Sequence, residues 1–130
     1  MQILSIENIL LLDDSSIGTY TIFLCTMDGD PIGIQRLVDI DHSGLMYIGS
    51  SENNSIQYRL KCFLHSMDIT RKQNNHSGGL KICNNPNLQR FLENKQLRFD
   101  FIVENEARNL ERELLKSYRN EFGEVPPLNG

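Results

Sequence analysis

Long hydrophobic runs are missing from this chain. Its 130 residues are 39% hydrophobic, yet no segment approaches the roughly 20 apolar residues of a membrane-spanning helix. A soluble chain is expected, with room for one domain around a real core. Cysteine is scarce. Cys25, Cys62 and Cys83 are odd in number, lie far apart and form no C-x-x-C pair. That argues against a disulfide framework and a cysteine-built zinc site, and for reduced, cytoplasmic surroundings. The apolar stretch from Met1 to Leu12 lacks a basic leader and a small-residue cleavage site, so no secretory signal is expected. Positive charge is rare at first: residues 1–58 hold Arg36 alone against eight acidic side chains. Residues 59–98 reverse this, with eight basic residues against Asp68 and Glu93. A protein of net charge −4 therefore carries a positive middle segment, and such a patch can bind phosphates.

Local patterns give an order of elements. Residues 2–12 predict a short strand or an extended arm. Residues 18–26 (GTYTIFLCT) are rich in β-branched and aromatic types and predict a strand. Asp28-Gly29-Asp30-Pro31 is a turn signal. Residues 32–43 read as a long excursion with a candidate short strand at 34–38, and 45–48 as the next strand. Ser55 suits the N-cap of a helix over 56–67, whose stripe is Ile56, Leu60, Phe63, Leu64 and Met67. Arg59 falls at the edge of that stripe and His65 nearly opposite it. Residues 70–80 predict a polar loop, 86–94 a second helix opened by Pro86, and 97–103 a strand. A long helix follows, and Pro126-Pro127 ends it. With an N-terminal arm over 1–16, these elements predict a single α/β domain of the α+β type. Its small, mainly antiparallel three-stranded central sheet is flanked by helices.

The last helix carries an anomaly. Its apolar residues at 103, 107, 110, 114, 115, 118 and 122 form one stripe, and Glu111 projects into it. A carboxylate on a packing face needs a cation, a metal or a hydrogen-bond cluster beside it. A structural bridge to Arg59 is one solution and a functional site another.

Five polar residues fall on separate elements: Tyr20, Tyr47, Arg59, His76 and Glu111. Gly18-Thr19-Tyr20 and Tyr47-Ile48-Gly49 are followed by Arg59, by His76 with Gly78-Gly79, by Glu111 and by Asn129. In this order they resemble the signature of the GIY-YIG nuclease family over residues 17–129. The resemblance implies a DNA endonuclease using Mg²⁺ or Mn²⁺. Tyr20 and Tyr47 would position or deprotonate water, Arg59 would neutralise charge on the phosphate, His76 would contact the phosphate or help in proton transfer, and Glu111 would be the single metal ligand. Asn129 reads as a structural cap or turn residue. DNA is the implied partner, with a homodimer or a separate specificity subunit to choose the target. Thr19 replaces the usual isoleucine, and against compact members of the family residues 27–43 look like an insertion between the two strands. Leu45 stands where many members carry a lysine, and Arg36 or Lys61 would have to supply that charge. These departures keep open an inactive DNA- or protein-binding module on the same scaffold. Arg108, Arg112, Lys116 and Arg119 form a basic ridge at helical spacing, either DNA-steering or simply solvated.

Overall fold

The computed structural model describes residues 1–68 and 76–130. The central strand, β2 (Gly18–Thr26), pairs antiparallel with β6 (Lys95–Val103) on one side and β5 (Leu45–Ser51) on the other. A two-residue strand, β1 (Gln2–Ile3), adds to the far side of β6 at Phe99 and Arg98. Among the described residues the sheet therefore has four strands in the order β1-β6-β2-β5, not three. The N-terminal arm supplies the fourth strand and then a helix, α1 (Ile6–Leu10), whose N-cap Ser5 accepts from the Asn8 amide. Elements this short carry less than two periods of any pattern, so neither stands out in the sequence.

Helices cover both faces. On one face α2 (Ile56–Ser66) and α3 (Ser77–Cys83) bring Ile56, Leu60, Phe63 and Ile82 against Tyr20, Ile22, Leu24, Tyr47 and Phe99. A further helix, α4 (Pro86–Leu92), packs Leu88 and Leu92 beside them, with Pro86 in its first turn as expected. On the other face α5 (Ala107–Phe122) packs Leu114, Leu115, Tyr118 and Phe122 against Phe23, Leu45 and Ile48. Among the described residues no helix is long and apolar enough to cross a membrane.

The β2–β5 ladder contains a bulge. Ile22 faces Tyr47 but Phe23 faces Leu45, which leaves Met46 as an extra residue. Met46 and Tyr47 consequently both pack on the α2 side, whereas Leu45 packs beneath α5.

The insertion folds back on the structure. Its hairpin, β3 (Ile34–Gln35) and β4 (Ile40–Asp41), clasps the end of α5. Arg36 bridges Glu124 at 2.8 Å and donates to the Val125 carbonyl at 2.7 Å, and the Val38 amide donates to the Phe122 carbonyl. Buried Asp41 accepts from Tyr118 Oη at 2.8 Å and from the Ser43 amide and hydroxyl.

One expectation about loops needs correction. Of the loop predicted over 70–80, residues 70–75 lie outside the described part, and 77–80 belong to α3. Histidine is an unusual N-cap and Gly-Gly a poor helix opening, which hides this helix from propensity. The C-terminal segment, in turn, behaves like a strand partner. The Leu128 amide donates to the Met46 carbonyl, and the Asn129 side chain exchanges two hydrogen bonds with Ile48, at 2.9 and 2.8 Å. Asn129 thus satisfies the outer edge of β5, a structural role other than the cap or turn expected. Asn129→Ala should lower stability by about 1–3 kcal/mol in urea unfolding, because two backbone groups lose their partner.

Candidate functional site

The register sets Tyr20 opposite Gly49. A Cβ on Gly49 would stand 2.4 Å from Tyr20 Cζ and 2.6 Å from its Oη, so the phenol lies across the space this glycine leaves open. The Tyr20 Oη is 2.8 Å from His76 Nε2. On the other side of that ring, Nδ1 accepts from the Gly78 and Gly79 amides at 3.1 and 3.4 Å. Nδ1 is therefore unprotonated, and the ring proton sits on Nε2 and is donated to Tyr20. Both glycines are forced by contact. A Cβ on Gly78 would lie 3.0 Å from the Phe63 ring and 3.1 Å from the Tyr47 ring, and one on Gly79 would lie 2.5 Å from the Phe63 carbonyl. Their small size lets α3 close on α2, with the Tyr47 and His76 rings edge to face at 5.1 Å.

Charge enters from two sides. Arg59, half-buried on α2, hydrogen-bonds Tyr20 and favours its phenolate, but burial outweighs it and the neighbouring Tyr47 adds to burial; the phenol is held well above its ordinary range. Tyr47 is also raised, by burial first and then by the charge of Glu111, while Ser77, Arg59 and Tyr20 act in the opposite sense. His76 is 1% exposed. Burial, followed by the Arg59 charge, lowers its pKa to about 3, so it is neutral at pH 7. Glu111, half-buried on α5, accepts from Ser50 Oγ at 2.8 Å. Ser50 belongs to β5 beyond Gly49, where the outer edge is clear of the Asn129 clamp. A polar cleft of about 240 Å³ opens here, lined by Ser50, Ser51, Glu52, Asn53, Asn54, Arg59 and Arg108.

Tyr20, Tyr47, Arg59 and His76 thus meet on the α2 side, and Glu111 reaches the same end of β5 from the α5 side, near enough to act on both phenols. The phosphate contact expected of His76 is corrected: the ring is buried and both nitrogens are engaged within the protein. Arg36 does not serve the site, since Glu124 and Val125 hold its guanidinium against α5. Leu45 is turned away from Tyr47 by the Met46 bulge. Lys61 lies two residues beyond Arg59, about 200° around α2. The ridge residues Arg108, Arg112, Lys116 and Arg119 are exposed.

Three polar contributors escaped the sequence reading. Ser50 and Glu52 have no local signal, because their partners lie on α5. Ser77 was legible only as a neighbour of His76. Among the described residues no three His, Cys, Asp or Glu side chains converge as a metal cage. A lone carboxylate backed by a hydroxyl fits Mg²⁺ or Mn²⁺, which use few protein ligands together with water and substrate oxygens. Comparison of the chain with protein-family models, curated proteins and solved structures gives no match.

Two outcomes follow from this packing. Gly49→Ala should displace the Tyr20 ring, break its bond to His76 and cost about 1–3 kcal/mol in chemical denaturation. His76 has a folded pKa of about 3, below its unfolded reference of about 6.5. The unfolded chain therefore binds the extra proton between these values. The His76 contribution to stability is complete above about pH 6.5 and falls as the pH drops towards 3, by at most about 1.4 kcal/mol per unit. Unfolding curves from pH 7.5 to 4.5 should show a shallower decline in His76→Asn than in the parent protein.

Proposed function

We propose that this protein is a divalent-metal-dependent DNA endonuclease of the GIY-YIG type. One observation carries the reading: two phenols with ring centroids 6.1 Å apart, a guanidinium hydrogen-bonded to one of them and a carboxylate held by Ser50, drawn from four separate elements, gather beside one polar cleft that Ser50 and Arg59 line. A structural Glu111–Arg59 bridge would not call for the two tyrosines, the histidine or the polar cleft.

The chemistry divides among these residues. Arg59 borders the cleft and offers a planar fork for phosphate oxygens, neutralising charge as the phosphorus becomes five-coordinate. Tyr20 is 1% exposed, and both His76 and Arg59 engage its oxygen. It organises Arg59 rather than reaching the substrate. Tyr47 is the phenol on which Glu111 acts most strongly after burial. Tyr47 would act as phenolate: its own proton leaves first to solvent, and Oη then takes the proton of the attacking water, with Ser77 and Tyr20 as hydrogen-bond partners that favour the phenolate. Glu111 would hold the cation, with Ser50 fixing Oε2. When bound, such a cation offsets the carboxylate charge beside both phenols and polarises the phosphate.

The rival, an inactive module that binds DNA or protein, is favoured by the vacant lysine role. Leu45 faces α5 and Arg36 is tied to Glu124, so neither lends a cation to Tyr47. The two readings separate on supercoiled plasmid with Mg²⁺ or Mn²⁺. The nuclease nicks or linearises the plasmid only with metal, Glu111→Ala abolishes the activity, and Tyr47→Phe lowers it about 10²–10⁴-fold. DNA retention without cleavage in either metal selects the module. Cleavage that survives Glu111→Ala removes that residue from the metal site.

A further inference from the structure

The first turn of α5 is capped from elsewhere in the chain. Its own N-cap residue, Glu106, makes no side-chain capping bond. Instead the carboxylate of Glu52, on the loop between β5 and α2, accepts the Arg108 amide at 2.8 Å and lies 3.6 Å from the Arg108 Nε. Arg108 is the second residue of α5, so this amide is one that the helix itself cannot satisfy. Glu111 follows three residues later, on the next turn, where Ser50 receives it. Ser50 and Glu52 are two residues apart, and α5 is therefore attached to this short stretch twice, once through its first turn and once through Glu111.

We propose that Glu52 is a positioning residue that anchors the start of α5 and so sets where the Glu111 carboxylate stands at the end of β5. Its effect on metal binding rests on the nuclease reading; its effect on the helix does not. The carboxylate also meets the positive end of the α5 dipole. Capping needs only an acceptor oxygen, so Gln can replace Glu in that role, whereas Ala cannot. A role that depended instead on negative charge in the cleft would be lost in both.

The test compares the parent protein with Glu52→Gln and Glu52→Ala. Mn²⁺ alone is titrated by calorimetry, and hydrogen exchange of the Arg108 amide is followed by NMR in the folded proteins. Glu52→Ala should weaken Mn²⁺ binding about 10-fold or more, in line with the loss of outer partners of metal ligands, and speed Arg108 exchange at least 10-fold. Glu52→Gln should restore most of both. Unchanged Arg108 exchange in Glu52→Ala would overturn the proposal, as would Glu52→Gln behaving like Glu52→Ala. If the parent protein binds no Mn²⁺, the metal role of Glu111 fails, and the Arg108 exchange still decides the capping role. Should Glu52→Ala fail to fold, Glu52→Gln against the parent protein decides: faster Arg108 exchange in Glu52→Gln overturns the proposal, and parent-like exchange upholds it.

Discussion

The hydrogen bond between Tyr20 and His76 joins the two halves of the molecule's polar centre. Tyr20 belongs to the central strand and His76 to the start of α3, which are 56 residues apart in the chain. The arrangement requires a neutral ring, because Nδ1 accepts from the Gly78 and Gly79 amides, and burial beside Arg59 keeps it neutral. It also requires space, which three glycines provide. Gly49 makes room for the phenol, and Gly78 and Gly79 let α3 approach while their amides hold the far side of the imidazole. A buried polar group is tolerable only with its partners in place. The site is therefore an assembly in which each member satisfies another.

That assembly explains an uneven division of labour. Residues in the interior, Tyr20 and His76, have their polar atoms engaged within the protein. Residues at the rim, Arg59 and Glu111, keep partial exposure and border the cleft or its edge. Tyr47 stands between them, buried yet influenced by the charge of both. The Asn129 clamp and the 27–43 hairpin frame this arrangement. The first closes part of the β5 edge, and the second fastens the end of α5 through Arg36 and Asp41. The 27–43 segment is thus a structural clasp, which accounts for Arg36 lying against α5.

Legibility followed the length of the pattern. The strand at Gly18–Thr26 and the helices at Ile56–Ser66 and Ala107–Phe122 span several periods and could be read directly. The α1 and α3 helices could not be read. One has five residues, and the other begins on His76-Ser77-Gly78-Gly79, a stretch that reads as loop because its cap and its packing are tertiary. Among site residues, Glu111 announced itself by breaking an apolar stripe. Ser50 broke nothing, since a serine at the end of a strand is unremarkable until its partner on α5 is known.

The sequence by itself determined the main elements, the positive middle segment and the five polar residues in their order. These are properties of composition and short-range period, and they survive without knowledge of packing. The tertiary structure alone decided which side each residue faces. A single bulge at Met46 moved Leu45 to the α5 side while leaving Tyr47 against α2. It also decided that His76 would be neutral and enclosed, because a histidine's charge depends on the burial and the cation that folding brings to it.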